Sequence, residues 1–180
     1  MTLDHRPFKI FASIADIHIG NKTVSPESLK KQLKEHFVNV LKQLKYLDGI
    51  FVLGDMLHTI ISLNSEYSEV YYWLVNQIYK IAKKKHAVVL IIKGTKSHDN
   101  DQLNNVKHYQ SNDDGVDFRV YDTMEEIILW EDYKVLVLPD NKLSKEDTIR
   151  LDKMLEADKK YDLILGHGLI DTMQIGRAHV

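Results

Sequence analysis

There is no cysteine anywhere in the 180 residues. That excludes a disulfide framework and any thiolate zinc site, and it fits a reducing cytoplasm, the compartment expected here. No apolar run approaches the length needed to span a bilayer, and the amino terminus carries no long apolar stretch of the signal-peptide kind. No membrane association is therefore expected. Nor does one charge sign dominate: 24 Lys and Arg stand against 26 Asp and Glu, a formal net charge of −2. That balance argues against a broadly basic coat for nucleic acid. It leaves room for a local groove, or for phosphate binding through metal ions. Internal repeats, low-complexity tracts and interdomain linkers are also missing, so the chain reads as one domain long enough for a sizeable core.

What is present is a series of short β-like runs, each ending in Asp or His. Phe8 to Ala15 ends in Asp16-Ile17-His18. Ile50 to Leu53 ends in Gly54-Asp55-Met56-Leu57-His58, Ala87 to Ile92 leads into Gly94-Thr95-Lys96-Ser97-His98-Asp99, and Asp162 to Leu165 ends in Gly166-His167. Between them the period changes to that of helices. Ser25-Pro26-Glu27 predicts a capped helix start, and Leu29, Leu33, Phe37, Val40, Leu41 and Leu44 predict one buried face running to about Leu47. A second helix is expected from Glu66 to Lys85, with Tyr67, Val70, Tyr71, Leu74, Ile78 and Ile81 inward as core packing and Lys83-Lys84-Lys85 as a solvated last turn. Ala87 to Ile92 reads as a strand covered on both faces. A short helix is expected within 99–109 and a turn-rich loop at 111–115. Three short strands follow at Phe118–Val120, Glu126–Trp130 and Lys134–Leu138, the last two as a hairpin, and a Ser144 capping box opens a helix to about Ala157. The expected fold is α/β, a mixed sheet with helices outside.

The strand-end residues define a chemistry. Carboxylates and imidazoles brought to one edge of a sheet are how an α/β protein holds a metal. Asp16 and His18, two apart, can converge on one ion. Asp55, after a glycine that lets the backbone turn tightly, suits a carboxylate bridging two ions, and His167 supplies a neutral imidazole. His98, between Ser97 and Asp99, suits a cation or proton donor at a leaving oxygen. Without cysteine, this mixed oxygen and nitrogen set favours manganese, iron or magnesium over structural zinc. Taken singly, each of these motifs is an ordinary turn or surface loop; their order and placement carry the reading. His5, His36, His86 and His108 lack such placement and read as surface or helix-face residues.

As a set, D-x-H at Asp16–His18, G-D-x-x-H at Gly54–His58, the Gly94–Asp99 segment and Gly166-His167 resemble the calcineurin-like metallophosphoesterases. His58 at the end of the second motif makes the set most similar to the Mre11/SbcD-like DNA-repair and recombination nuclease branch, phage-type members included. The resemblance covers nearly the whole chain. It implies an αββα sandwich of mixed sheets flanked by helices, incomplete at the C-terminus, with residues 1–174 as the N-terminal part of the catalytic domain. It implies two divalent ions, Mn2+ first among them, with Asp16 and His18 on the first, Asp55 bridging, and His167 on the second. His98 would assist at the scissile phosphate or leaving group with His58 near it. The implied activity is hydrolysis of DNA phosphodiesters in double-strand-break repair or recombination. The implied partners are DNA, a Rad50/SbcC-type ATPase and, at full length, a second copy of the chain.

Two departures from the family pattern stand out. Counting back from His98 puts Ser97 at the position of the family's asparagine metal ligand, where a hydroxyl is the poorer donor. And Leu169 stands where a final G-H-x-H motif needs its second histidine. The closing residues Ile175-Gly176-Arg177-Ala178-His179-Val180 are what a common short-read sequencing adapter encodes in one frame (ATC GGA AGA GCA CAC GTC, then a TGA stop). The expectation is that native sequence ends near Gln174 and that 175–180 is a non-native tail on a truncated chain, which gives His179 no role. An incomplete metal shell predicts weak or no activity from the chain alone. The competing readings are a phosphoesterase acting on small phosphoesters or phosphoproteins, and a non-catalytic scaffold that keeps the fold.

Overall fold

The computed structural model describes residues 8–111, 115–140, 145–157 and 159–168. Its first half alternates strand and helix. Strand β1 (Phe11–Ile14) leads to α1 (Pro26–Leu33), a π-helical turn (Lys34–Val38) and α2 (Asn39–Gln43). Next come β2 (Gly49–Leu53), α3 (Glu66–Lys85), β3 (Val88–Ile92) and a 3-10 segment (Gln102–Ser111). The second half holds β4 (Phe118–Tyr121), β5 (Glu125–Leu129), β6 (Tyr133–Leu138), α4 (Lys145–Glu156) and β7 (Leu163–Gly166).

Capping chemistry places the helices. Ser25 has extended backbone and its hydroxyl accepts from the Ser28 N–H, with Pro26 just inside the first turn. Ser65 does the same for α3, its hydroxyl accepting from the Ser68 N–H, and His86 in the left-handed region stops that helix. Lys85 turns its ammonium back onto the Leu44 carbonyl. The α3 stripe is buried as its spacing predicts, from Val70 and Tyr71 to Ile78 and Ile81, with Tyr67 half-buried and Val75, Tyr79 and Ala82 widening it.

The first helical run differs from expectation. It stops at Gln43 rather than near Leu47, and its π turn adds a residue to one helical turn. The extra residue rotates everything beyond it by roughly one position on the helical wheel. Val38 becomes fully buried while Val40, expected inside, is 48% exposed.

Four strands form one sheet in the order β1-β2-β3-β4, every neighbouring pair parallel. The remaining three form a mixed sheet in the order β5-β6-β7, antiparallel at the hairpin and parallel between β6 and β7. The Phe118 strand therefore extends the first sheet instead of joining the later block, and that sheet is wholly parallel where mixed pairing was expected.

Alternate residues of β2 and β3 serve different cores. Ile50, Val52, Val89 and Ile91 pack with α3 and the α1 region. Phe51, Leu90 and Ile92 pack against Leu129, Val135, Val137 and Leu165 of the second sheet. On the far side of that sheet, Leu136 meets Leu151 and Met154 of α4. Burial on both faces explains why β3 is apolar at all five positions, and truncating Leu90 to Ala would cost about 2–5 kcal/mol.

All strands of a parallel sheet end on the same edge, so the loops after β1, β2 and β3 lie side by side. Backbone bonds fasten them there: the Asp16 N–H donates to the Gly54 carbonyl (3.2 Å), His18 to Asp55 (3.0 Å), His58 to Ile19 (2.8 Å) and Gly54 to Ile92 (3.0 Å). The second sheet reaches that edge too, through Asp140 N–H on the Lys93 carbonyl (3.2 Å). The Ser144 cap, most of the 111–115 loop, His5, Leu169 and the 175–180 tail lie outside the described residues. Among the described residues no helix is long and apolar enough to cross a membrane.

Candidate metal centre

Asp55 is the middle of the site. It is one of three charged or polar residues buried in the described part of the chain, its side chain only 7% exposed. Oδ1 accepts from the Thr95 N–H (2.7 Å) and the Thr95 hydroxyl (2.8 Å), and lies 3.4 Å from His167 Nε2. Oδ2 lies 3.9 Å from His98 Nε2. Burial alone would raise the Asp55 carboxyl. The two bonds from Thr95 outweigh it, with His167 and His98 adding, and the group sits below its ordinary carboxylate value. It is held ionised, as a ligand must be.

Around it the described side chains form two groups. Asp16, Asp55 and His167 each offer a ligand atom, all within 4.8 Å of one another; His18, His58 and His98 do the same. The histidine rings of the second group stand 4.7 to 5.4 Å apart, centroid to centroid. Asp55 joins the groups, one oxygen toward each.

The imidazoles are oriented by backbone carbonyls. His167 Nδ1 donates to the Leu53 carbonyl (2.8 Å) and His98 Nδ1 to that of His58 (2.7 Å). A proton fixed on Nδ1 leaves the Nε2 lone pair for a ligand, the usual arrangement behind metal-binding histidine. By contrast, His18 Nδ1 and His58 Nδ1 are buried without a hydrogen-bond partner. A buried polar atom left so costs about 1–3 kcal/mol, and a cation bound at those nitrogens would remove that cost. The donor set and these orphaned nitrogens fit divalent metal.

The backbone is bent to this arrangement. Asp16 (φ 53°), His18 (φ 51°) and Asp55 (φ 47°) all occupy the left-handed region, three of the seven non-glycine residues that do so among those described. Each costs about 1–2 kcal/mol relative to ordinary backbone. Gly94 is compelled by proximity: a Cβ there would lie 2.9 Å from Asp55 Cα and closer still to its amide nitrogen. Gly54 (φ 77°) likewise admits the His167 ring, whose Cβ would be 2.7 Å from a side chain at that position.

Asp99 supports the floor. Fully buried, it accepts from the Leu57 N–H (2.9 Å) on Oδ1 and the Gly94 N–H (2.7 Å) on Oδ2. Burial pushes its carboxyl above the ordinary value, against the pull of those amides.

The expected residues Asp16, His18, Asp55, His58, His98 and His167 thus meet at one edge. Ser97 is exposed on the turn before His98. The residue that reaches Asp55 from this segment is Thr95, which counting back from His98 passed over. Counting forward from Gly94 finds it: Lys96 and Ser97 form the exposed extension, and the residue after the glycine faces the site. Asp140 was not anticipated either. It lines, with Ala15, Asp16, Leu53, Thr95 and His167, an open groove of about 620 Å³ beside the acidic group. His36, His86 and His108 are exposed, as expected. These features define an α/β protein with a metal-competent Asp/His edge. No protein-family model matches the chain, and no curated protein matches it.

Proposed function

We propose that the chain is the catalytic part of a metal-dependent phosphoesterase whose substrate is a DNA phosphodiester. The observation that carries this reading is the buried Asp55 carboxylate, with one oxygen beside the Asp16/His167 group and the other beside the histidine group. Asp16, Asp55 and His167 would hold the activating ion, manganese being the ion of choice for this oxygen-rich group. Such ions polarise phosphoryl oxygens and acidify water at neutral pH.

The chain's own residues do the rest. Thr95 holds Asp55 ionised and fixes its plane. The Leu53 carbonyl orients His167, and the His58 carbonyl turns His98 so that Nε2 is the end free to hand a proton to a leaving oxygen. The groove is itself acidic, through Asp16 and Asp140, so a phosphodiester approaches only where cations offset those charges. Binding of substrate should therefore depend on divalent ions more steeply than on monovalent salt. Two packed sheets between helix layers suit the αββα sandwich that the motif resemblance implies. The resemblance alone supports the ATPase partner and the homodimer.

The test is hydrolysis by the 180-residue chain of a fluorescently labelled DNA duplex and of p-nitrophenyl phosphate, with Mn2+ and with chelator. Weak Mn2+-dependent DNA cleavage, abolished by Asp55→Asn, is expected. Preference for the monoester would move the substrate class to small phosphoesters. Failure to bind Mn2+ at all would sink the catalytic reading and leave a scaffold.

A further inference from the structure

We propose that His18, His58 and His98 form an ion site of their own, built only of nitrogen, which takes a borderline cation such as Zn2+ in preference to Mn2+. Three observations converge. The three side chains offer ligand atoms within 4.8 Å of one another without a carboxylate among them. Nδ1 of His18 and of His58 are buried with no partner, so two of the three rings carry unsatisfied nitrogen. The third ring has Nδ1 anchored on the His58 carbonyl, which leaves Nε2 as its ligand atom.

Donor chemistry then separates the two groups. Imidazole suits zinc, copper and nickel, whereas carboxylate oxygen suits manganese and magnesium. The acidic group has two carboxylates and one imidazole, the other three imidazoles. Zinc–nitrogen bonds of about 2.0–2.1 Å place tetrahedral ligands roughly 3.3 Å apart, so binding draws the rings inward by an ångström or so. The three side chains are only half-buried, which leaves them room for that rotation. The negative charge needed to offset the ion is close by, on Asp55 Oδ2 (3.9 Å from His98 Nε2) and Asp16 Oδ1 (3.9 Å from His18 Nε2).

A consequence follows that rests on the phosphoesterase reading, though the site does not. An ion on His98 Nε2 takes the lone pair that a proton would occupy, so Zn2+ at the three histidines withdraws the proton donor while Mn2+ stays on the acidic group. Manganese activates and zinc restrains.

The experiment uses the purified 180-residue chain and reads binding, so a protein without hydrolytic activity tests it equally well. Co2+ reports the nitrogen site by its visible absorption and is displaced by Zn2+; Mn2+ is followed by electron paramagnetic resonance. His58→Asn is expected to weaken Zn2+ at least tenfold, on the order of what loss of even a supporting group does, and to leave Mn2+ within about twofold. His167→Asn is expected to do the converse. Unchanged Zn2+ affinity in His58→Asn overturns the proposal. So does loss of both ions in both variants, which would mean a single coupled centre.

Discussion

Replacing Thr95 by valine removes one hydroxyl and little else in volume, and the hydroxyl's 2.8 Å bond to Asp55 Oδ1 is what it takes away. The Thr95 N–H bond to the same oxygen remains. Because Asp55 is only 7% exposed, water does not replace the lost donor well. A hydrogen bond to a charged acceptor contributes about 1.5–3 kcal/mol, which for a chain of this size is a fall of about 3–12 °C in the unfolding midpoint at neutral pH. The pH dependence is the sharper part. Asp55 titrates below its ordinary value in the fold, so its contribution to stability is present above the unfolded-state pKa and disappears as pH falls through the folded one. Thr95→Val raises the folded carboxyl toward the ordinary range, so the gap between wild type and variant should be widest at neutral pH and should close on acidification. The assay is thermal unfolding by circular dichroism across that range, with chelator present throughout. A gap of constant size at every pH would refute the reasoning and make Thr95 a packing residue.

Other outcomes follow from the same geometry. Gly94→Ala forces a methyl against the Asp55 backbone, where no side-chain rotation relieves it; a loss of about 1–3 kcal/mol in urea unfolding is expected, with weakened Mn2+ binding. A variant as stable as wild type would contradict the close approach. Asp99→Asn turns an amide NH2 toward one of the donors at Leu57 and Gly94, and should cost about 1–3 kcal/mol by leaving that N–H unsatisfied. Hydrogen exchange at those two amides would show it directly. Glu126 is held below the ordinary carboxylate value first by Lys159 and also by Tyr161 and Arg150. Glu126→Gln should lower the midpoint slightly at neutral pH, and the deficit should vanish as pH falls through the folded Glu126 pKa or as salt rises. A deficit indifferent to both would point to packing against α4 instead.

Much of the architecture was legible because burial leaves a periodic trace. The α3 run shows its length and its inner stripe in sequence, and the apolar β3 run could only be a strand covered twice. The π turn after α1 was not legible, since a single added residue alters phase without altering composition. Nor did the Phe118 run reveal which sheet it joins, because a strand of four largely buried residues fits either partner. At the site, the Asp and His at strand ends were visible because parallel strands must deliver them to one edge. Thr95 was missed because its role depends on where a two-residue extension loops out, a matter of backbone path. The partition into an acidic group and a histidine group was hidden for the same reason, since it depends on how the rings turn across loops far apart in sequence.

The bond from His167 to the Leu53 carbonyl closes a span of 114 residues. The three histidines need only residues 18 to 98, all on loops of the first sheet, whereas the acidic group is incomplete until β7 has paired with β6 and carried His167 home. The two halves of the centre therefore mature at different moments of folding, the nitrogen half with the contacts inside the first sheet and the oxygen half with a contact that spans 114 residues. A refolding chain should acquire its cobalt absorption before its manganese signal, and the delay between them would clock the docking of one sheet on the other.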